Sequence, residues 1–352
     1  MKNKVLMCGN EACGEGAVLA GCKFYAGYPI TPQNELTAYM AKRMYETNGV
    51  FIQAESEIAA INMVLGASAA GVRAMTSSSS PGISLKQEGI SYMAGCELPC
   101  VIVNMQRGGP GLGNIAPSQG DYFQSVKGGG HGDYKIIVLA PASAQEFFEY
   151  TLLAFDLADK YRNPVMILGD GLLGQMMEPL HIAPPKDGPK VFEKPWALTG
   201  AKGRKQNIIR SLILAEGALE EHNKKLQEKF KLITQDEVRG ETVNVKDSDV
   251  VLVAYGSVAR IAKASMEMAR AKGLRVGLIR PVTLWPFPDK LFDAAATSGK
   301  KFLVVEMSAG QMVEDVRLAV NGRASVEFYG RMGGGIPSEE EILQRVEAMY
   351  KV

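Results

Sequence analysis

Val101-Ile102-Val103-Asn104-Met105-Gln106-Arg107-Gly108-Gly109-Pro110-Gly111-Leu112-Gly113 reads as a strand that ends in a glycine loop carrying one guanidinium. The same grammar recurs on either side of it. Val5 to Cys8, Val50 to Ala54, Arg73 to Thr76, Ile136 to Leu139 and Val165 to Gly169 are further strand candidates, while Ala12 to Gly21, Thr31 to Tyr45, Ser56 to Ala70, Gly82 to Ala94 and Ala144 to Ala158 carry helical periodicity. Strands alternating with helices predict a parallel sheet covered on both faces, the α/β class. Ligands of such sheets bind outside the carboxyl ends of the strands. The turns to search for chemistry are therefore Gly9-Asn10-Glu11, Tyr28 to Pro32, Ser77 to Gly82 and Arg107 to Asn114.

Beyond Gly169 the pattern changes. Glu178 to Gly203 is rich in proline and has little periodicity, and Ala215 to Glu237 reads as a long, highly charged helix. A second alternation follows, with strands at Val250 to Ala254, Val276 to Ile279, Phe302 to Val305 and Val326 to Phe328. Its helices are expected at Val258 to Lys272, Phe287 to Thr297, Gln311 to Val320 and Ser338 to Met349. The expected organisation is a first domain over residues 1–185, a linker and charged helical arm over 186–245, and a second α/β domain over 246–352.

Composition narrows the partners. The chain has 352 residues, 46% hydrophobic and 22% charged, with 39 Lys plus Arg against 38 Asp plus Glu. That is enough apolar material for two cores and gives no electrostatic reason to expect nucleic acid. The apolar start is broken at once by Asn10, Glu11 and Glu15, and no run approaches a membrane span, so a cytoplasmic protein is expected. The 5 cysteines all lie between Cys8 and Cys100 without paired C-x-x-C spacing, which argues against both a disulfide framework and an iron–sulfur site on this chain. Cys96 and Cys100 retain a spacing that could hold a redox pair. With 3 scattered histidines at positions 131, 181 and 222, no metal site is expected, and His131 in its glycine turn reads first as a structural hydrogen bonder.

Three segments carry candidate chemistry. In Gly27-Tyr28-Pro29-Ile30-Thr31-Pro32, Thr31 is placed to cap a helix that begins at Pro32, and a helix start with a free hydroxyl suits a carboxylate. A proline-stiffened turn and a cap would look the same with no function. In Gln53-Ala54-Glu55-Ser56-Glu57-Ile58, a strand runs into a helix with two carboxylates at the junction. Both favour the helix dipole, and Glu57 is the one placed to point into the crevice. Arg107 offers a planar fork for a carboxylate or phosphate beside glycines that let a ligand approach the backbone.

Taken together the motifs resemble a known family. Gly9-Asn10-Glu11-Ala12 with Gly14-Glu15-Gly16-Ala17, Tyr28-Pro29-Ile30-Thr31-Pro32, Glu57-Ile58-Ala59 and Gln106-Arg107-Gly108-Gly109-Pro110 are similar to the α-type subunit of 2-oxoacid:ferredoxin oxidoreductases. So are Arg280-Pro281-Val282-Thr283-Leu284-Trp285-Pro286-Phe287-Pro288 and Val305-Glu306-Met307-Ser308-Ala309-Gly310-Gln311. The resemblance implies a pyrimidine-type thiamine-diphosphate-binding fold followed by a transketolase C-terminal-like domain. It implies that Glu57 contacts the cofactor's aminopyrimidine, with Tyr28, Pro29 and Ile30 nearby, and that Thr31 and Arg107 hold the carboxylate of the 2-oxoacid. The substrate it suggests is 3-methyl-2-oxobutanoate, with 2-oxoglutarate as the alternative; coenzyme A takes the acyl group and ferredoxin the electrons.

The same resemblance places Mg²⁺ and the diphosphate anchor on a β-type subunit, and iron–sulfur clusters on other partners, among them γ-type and ferredoxin-like δ subunits. Self-association within that hetero-oligomer is also expected. Gly169-Asp170-Gly171 has the letters of the family's magnesium motif, but the window that should hold the second ligand, Lys194 to Gly200, contains no asparagine. A self-sufficient thiamine enzyme would need a diphosphate domain for which the chain has no room. A nicotinamide dehydrogenase lacks its Gly-x-Gly-x-x-Gly turn. A non-catalytic assembly subunit on the same fold would be expected to have lost Glu57, Thr31 or Arg107, and all three are present.

Overall fold

The computed structural model describes residues 4–297 and 299–351. Its first half runs β1 (Val5–Cys8), α1 (Gly9–Leu19), β2 (Phe24–Gly27), α2 (Asn34–Glu46), β3 (Val50–Gln53), α3 (Glu57–Ala69), β4 (Ala74–Ser78), α4 (Ser80–Gly95), β5 (Cys100–Gln106), α5 (Tyr122–Val126), β6 (Ile137–Leu139), α6 (Ala144–Tyr161), β7 (Pro164–Asp170), α7 (Gly171–Gln175) and β8 (Met177–Leu180). The second half runs α8 (Ala218–Asp236), β9 (Gly240–Val243), β10 (Val250–Val253), α9 (Gly256–Ala271), β11 (Val276–Pro281), β12 (Thr283–Trp285), α10 (Asp289–Ala295), β13 (Lys301–Glu306), α11 (Met312–Val320), β14 (Ser325–Gly330) and α12 (Glu339–Tyr350). None of these helices is long and apolar enough to cross a membrane.

The principal sheet has 7 strands in the order β12-β6-β7-β5-β4-β2-β3. From β6 to β3 every pair is parallel; only β12 joins antiparallel. All residues of β5 and β7 are buried, as a central strand covered on both faces requires. The connection from β2 goes out to the edge strand β3 and then back past β2 to β4. The direction of winding therefore switches between β2 and β4, which is where open α/β sheets form a crevice. A second sheet of 5 strands, β14-β13-β10-β11-β9, is parallel except for β9.

Local chemistry sets the element ends. Ser56 and Ser143 cap α3 and α6 by accepting from the backbone N–H groups of Ala59 and Glu146, and Ser338 with Glu341 forms a capping box at the start of α12. The glycines of the opening motif serve packing. A side chain at Gly9 would come 2.3 Å from the Leu173 carbonyl oxygen and one at Gly16 would come 2.5 Å from that of Phe148, so α1 lies flush on α6 and α7 because those positions are bare.

Several sequence expectations need correction. β1 does not enter the parallel sheet. It pairs antiparallel with β8 in a separate two-stranded ribbon, its first two residues exposed and only Met7 and Cys8 buried. Thr31 does not cap a helix starting at Pro32: α2 begins at Asn34 with Gln33 as its N-cap residue. A residue that precedes proline is pushed away from helical geometry. Gln33 is also drawn under the sheet edge, where its Oε1 accepts from Ser77 at 2.6 Å and Thr37 at 3.1 Å. Gly9 opens α1 rather than a turn. Residues 181–217 carry turns but no helix or strand, and α8 settles on the body through a stripe of Leu226, Phe230 and Ile233.

The two halves are tied by polar bonds as well as by β12. Gln119 donates from its backbone to the Met307 carbonyl (2.8 Å), accepts from the Met307 N–H (3.0 Å) and donates to the Tyr255 carbonyl (2.9 Å). Arg280 grips Glu146 through two bonds of 2.7 Å. Asp170, the decoy of the magnesium-like motif, uses Oδ1 to cap α7 at Leu172 and Leu173 and Oδ2 to accept from Ser257 at 2.6 Å. It is a buried cap that reaches across the two halves. Asp170→Ala should lower stability by about 2 kcal/mol, and Ser257→Ala, which leaves the cap intact, by about 1 kcal/mol. Urea denaturation of both variants checks this; equal losses would show that the cap contributes nothing.

Candidate active site

The parallel run puts the carboxyl ends of β3, β2, β4 and β5 side by side, and the expected residues sit just beyond them. Glu57 opens α3 after β3, Tyr28 to Thr31 follow β2, Ser79 and Ser80 follow β4, and Arg107 follows β5. Glu57 is buried while its neighbour Glu55 is exposed, so the junction sends one carboxylate inward and the other to solvent. Glu57 Oε1 lies close over Gly82 in the first turn of α4. A side chain at Gly82 would come 2.6 Å from that oxygen and 2.0 Å from Ser78 Oγ.

Arg107 is buried and clamps two loops. Its Nη1 donates to the Thr31 carbonyl and its Nη2 to the Leu112 carbonyl, both at 3.0 Å. Thr31 and Arg107 are therefore brought into direct contact, through the threonine's backbone. The Thr31 hydroxyl, half-buried, accepts from the Asn34 side chain at 3.1 Å. Tyr28 and Pro29 are exposed and Ile30 half-buried, on a turn whose Tyr28 carbonyl accepts from Gln33 Nε2 at 3.5 Å.

Residues that sequence reasoning missed complete the edge. The Ser80 hydroxyl accepts from the Arg107 N–H at 3.0 Å and donates to Asp121 Oδ2 at 2.6 Å. Asn104 donates to the same carboxylate oxygen at 2.9 Å, and Gln106 Oε1 accepts from the Asp121 N–H at 3.1 Å. Burial pushes the Asp121 carboxyl above the usual range, against the hydrogen bonds from Ser80 and Asn104. Ser80 lies in the Ser77 to Gly82 turn but is not singled out within it, and nothing in the sequence around Asp121 marks that residue. Beside this group opens a crevice of about 560 Å³ lined by Arg107, Ser80, Asp121 and Pro110 from the first half and by Met307, Gln311 and Met332 from the second. Glu57, Thr31 and Tyr28 are not in its wall.

The edge carries polar groups that the protein itself does not use. Ser78 Oγ, Ser79 Oγ and Arg107 Nε are buried without a hydrogen-bond partner among the described residues. Such orphans are costly unless a ligand engages them. With Glu57 over a glycine that leaves room beside it, they fit a polar heterocycle. Among the described residues no three His, Cys, Asp or Glu side chains cluster as metal ligands. Cys96 and Cys100 are free thiols, and the Cys100 thiol turns to Met93 Sδ at 3.5 Å.

Residues 15–245 match the family described as pyruvate flavodoxin/ferredoxin oxidoreductase, thiamine diphosphate-binding, and residues 248–342 match pyruvate:ferredoxin oxidoreductase core domain II. The chain belongs to the pyruvate flavodoxin/ferredoxin oxidoreductase family. It is 51% identical over 341 residues, 96% of each chain, to ketoisovalerate oxidoreductase subunit VorB of Methanothermobacter thermautotrophicus. It is 38% identical over 376 residues, 99% of this chain and 100% of the other, to 2-oxoglutarate synthase subunit KorA of Methanothermobacter marburgensis. Among solved structures, 2-oxoglutarate:ferredoxin oxidoreductase from Magnetococcus marinus, with 2-oxoglutarate, coenzyme A and succinyl-CoA bound, superposes with a TM-score of 0.85 at 30% identity. That match covers 99% of this chain and 65% of the longer one. A split-gene transketolase, an inactive beta4 tetramer, shares the fold alone, with a TM-score of 0.57 at 15% identity over 97% of both chains.

This member of the pyruvate flavodoxin/ferredoxin oxidoreductase family is thus an α/β chain with a thiamine-diphosphate-binding domain, and it is an oxidoreductase subunit. Its relatives are named as subunits, which makes partner chains part of the enzyme. Because Gly82 is the space beside Glu57, Gly82→Ala should cost about 1–3 kcal/mol through overpacking. A thermal melt reads this, and unchanged stability would mean that Ser78 and Glu57 can both move aside.

Proposed function

We propose that this chain is the α-type subunit of an oxidoreductase that converts 3-methyl-2-oxobutanoate (ketoisovalerate) and coenzyme A to the acyl-CoA and CO₂, passing two electrons one at a time to ferredoxin. The observation that carries the substrate is the 51% identity over nearly the whole of a relative named for ketoisovalerate, against 38% for one named for 2-oxoglutarate. The crevice supports the same choice. Among the described residues lining it, Arg107 is the one cation, enough for one carboxylate, and its thioethers Met307 and Met332 suit an apolar branch better than a second carboxylate.

Thiamine diphosphate supplies the nucleophilic carbon and the electron sink for decarboxylation. This chain's part is to hold and orient. Glu57, buried at the start of α3, would hold the pyrimidine ring by a hydrogen bond, with Tyr28, Pro29 and Ile30 as the adjoining wall. Arg107 and Thr31 hold the oxoacid carboxylate, with the unpartnered Nε of Arg107 as an available donor. Keeping the reacting carbon in one orientation is worth several kcal/mol of barrier. Ser80 and Asp121 fix the backbone from which Arg107 projects.

The rest of the cycle belongs to other chains. Both Asp170 oxygens are spent within this subunit, in keeping with a Mg²⁺ and diphosphate anchor on a β-type partner. The cysteines are free thiols, and burial pushes Cys13 and Cys22 up to about 12, in keeping with clusters on a ferredoxin-like δ partner and with a cytoplasmic setting. A γ-type chain and a second copy of this subunit complete the proposed assembly.

The isolated chain should show no 2-oxoacid-dependent reduction of a viologen dye, and activity should appear on reconstitution with its β-type and cluster-bearing partners. Full activity of the chain alone would overturn the division of labour. In the reconstituted enzyme Glu57→Gln should reduce turnover at least about a hundredfold with folding intact, and near-normal rates would remove Glu57 from the cofactor. Arg107→Ala should act mainly by raising KM for the oxoacid, with an unchanged KM excluding it as carboxylate clamp. Comparison of ketoisovalerate with 2-oxoglutarate in the same assay tests the substrate.

A further inference from the structure

The opening motif holds one polar residue that neither the packing of its glycines nor the proposed mechanism uses. Asn10, in the first turn of α1, is fully buried. Its Nδ2 donates to the Pro32 carbonyl and to Glu35 Oε2, both at 2.9 Å. Pro32 belongs to the loop after β2 that carries Thr31, and Glu35 to the first turn of α2, which that loop enters. The other Glu35 oxygen accepts from Gln175 of α7 at 3.2 Å, so the entry to α2 is tied to two helices at once.

Chemistry fixes which way this amide faces. Both neighbours are acceptors, so the nitrogen must meet them; turned over, the amide would set its oxygen against a carbonyl and a carboxylate. In the orientation that results, Asn10 Oδ1 is buried without a hydrogen-bond partner among the described residues. An orphaned buried oxygen is destabilising, so the side chain is set for its two donor bonds and against its own full satisfaction. Bare backbone leaves it room: a side chain at Gly174 of α7 would come 3.2 Å from Asn10 Nδ2 and 3.3 Å from Oδ1.

The Thr31 carbonyl accepts from Arg107 Nη1 at 3.0 Å, and the next carbonyl along the chain, that of Pro32, accepts from Asn10. Two consecutive peptide units are thus held by side chains 76 and 22 residues away in sequence. Arg107 alone gives the loop one fixed point about which to pivot; Asn10 gives the second. We propose that Asn10 is a positioning residue for the oxoacid: by holding the Pro32 carbonyl it keeps Thr31 and the Arg107 guanidinium in one relative geometry, that of a two-sided grip on a carboxylate. This role rests on the reading of Thr31 and Arg107 as the carboxylate clamp.

The alternative is that Asn10 merely docks α1 on α2, and the same motif supplies the control. Glu15, also on α1 and buried, accepts from Arg43 Nε at 2.9 Å, from Arg43 Nη2 at 3.1 Å and from the Tyr39 hydroxyl at 3.1 Å. Those partners lie on the body of α2, past the loop. Glu15 therefore joins the same two helices without touching the segment that carries Thr31.

In the reconstituted enzyme, with ketoisovalerate varied, Asn10→Ala should raise KM for the oxoacid about fivefold, with kcat and the KM for coenzyme A little changed. Asn10→Asp keeps the volume but loses the donor, so it should do the same, and it guards against Asn10→Ala failing to fold. Glu15→Gln should lower the melting temperature and leave KM where it was. Hydrogen exchange of the whole free chain gives a reading without turnover. The Gln33 N–H, which closes the loop onto the Ile30 carbonyl at 3.1 Å, should exchange faster in the Asn10 variants and not in Glu15→Gln. An unchanged KM in both Asn10 variants, or an equal rise in Glu15→Gln, would overturn the proposal while the clamp stands. If Arg107→Ala itself leaves KM unchanged, the clamp reading fails, and the role of Asn10 with it.

Discussion

A parallel sheet has all its carboxyl ends on one edge, and everything functional in this chain follows from that constraint. From β6 to β3 the strands are parallel, so loops far apart in sequence are delivered to one line. Glu57, Thr31, Ser80 and Arg107 come from four different loops and sit over neighbouring strands. An antiparallel sheet would have sent half of them to the opposite edge. Coverage on both faces is the cost of that arrangement, and the bare positions of α1 against α6 and α7 are part of how the cover lies close enough.

Proximity of loops does not by itself make a site, because loops move. Here one guanidinium holds two of them. Arg107 is anchored by its own N–H to Ser80 and reaches out to the carbonyls of Thr31 and Leu112. Its charge is satisfied by neutral carbonyls, so it stays available to an anion in a way that a salt-bridged arginine would not. The second half of the molecule closes the crevice beside it, and the reciprocal bonds between Gln119 and Met307 fix that wall to the first sheet. The hinge freedom usual between α/β domains is thereby reduced.

What the sequence revealed and what it hid divide along physical lines. The buried strands β5 and β7 and the long helices are written in runs of apolar residues or in periodicity, and they were legible. The edge strands β8, β9 and β12 are short, with sequences such as Met-Glu-Pro-Leu and Gly-Glu-Thr-Val, and their pairing is decided by tertiary contact that local propensity does not carry. Glu57 could be singled out as a carboxylate at a strand-to-helix junction placed to point inward, and Arg107 as a guanidinium at a strand end beside glycines. Thr31 was expected to cap a helix, but Gln33, engaged by Ser77 and Thr37, takes that position, and Thr31 instead meets Arg107 through its carbonyl. Asp121 left no trace, because it matters only through Ser80 and Asn104, which the fold brings to it.

Unpartnered polar atoms explain why the site is an edge rather than a closed cavity. A complete active site would satisfy its own polar atoms, yet Ser78, Ser79 and Arg107 each keep one buried and unpartnered. Evolutionary tolerance of such orphans requires that something else spends its time in contact with them. Glu57 is likewise buried against a glycine rather than against a matching donor. A chain built this way has one wall of a pocket, charged and preorganised, and it gains by association whatever those unsatisfied groups forgo alone. Binding of a ligand or of a partner chain at this edge is therefore favoured by the groups it would satisfy.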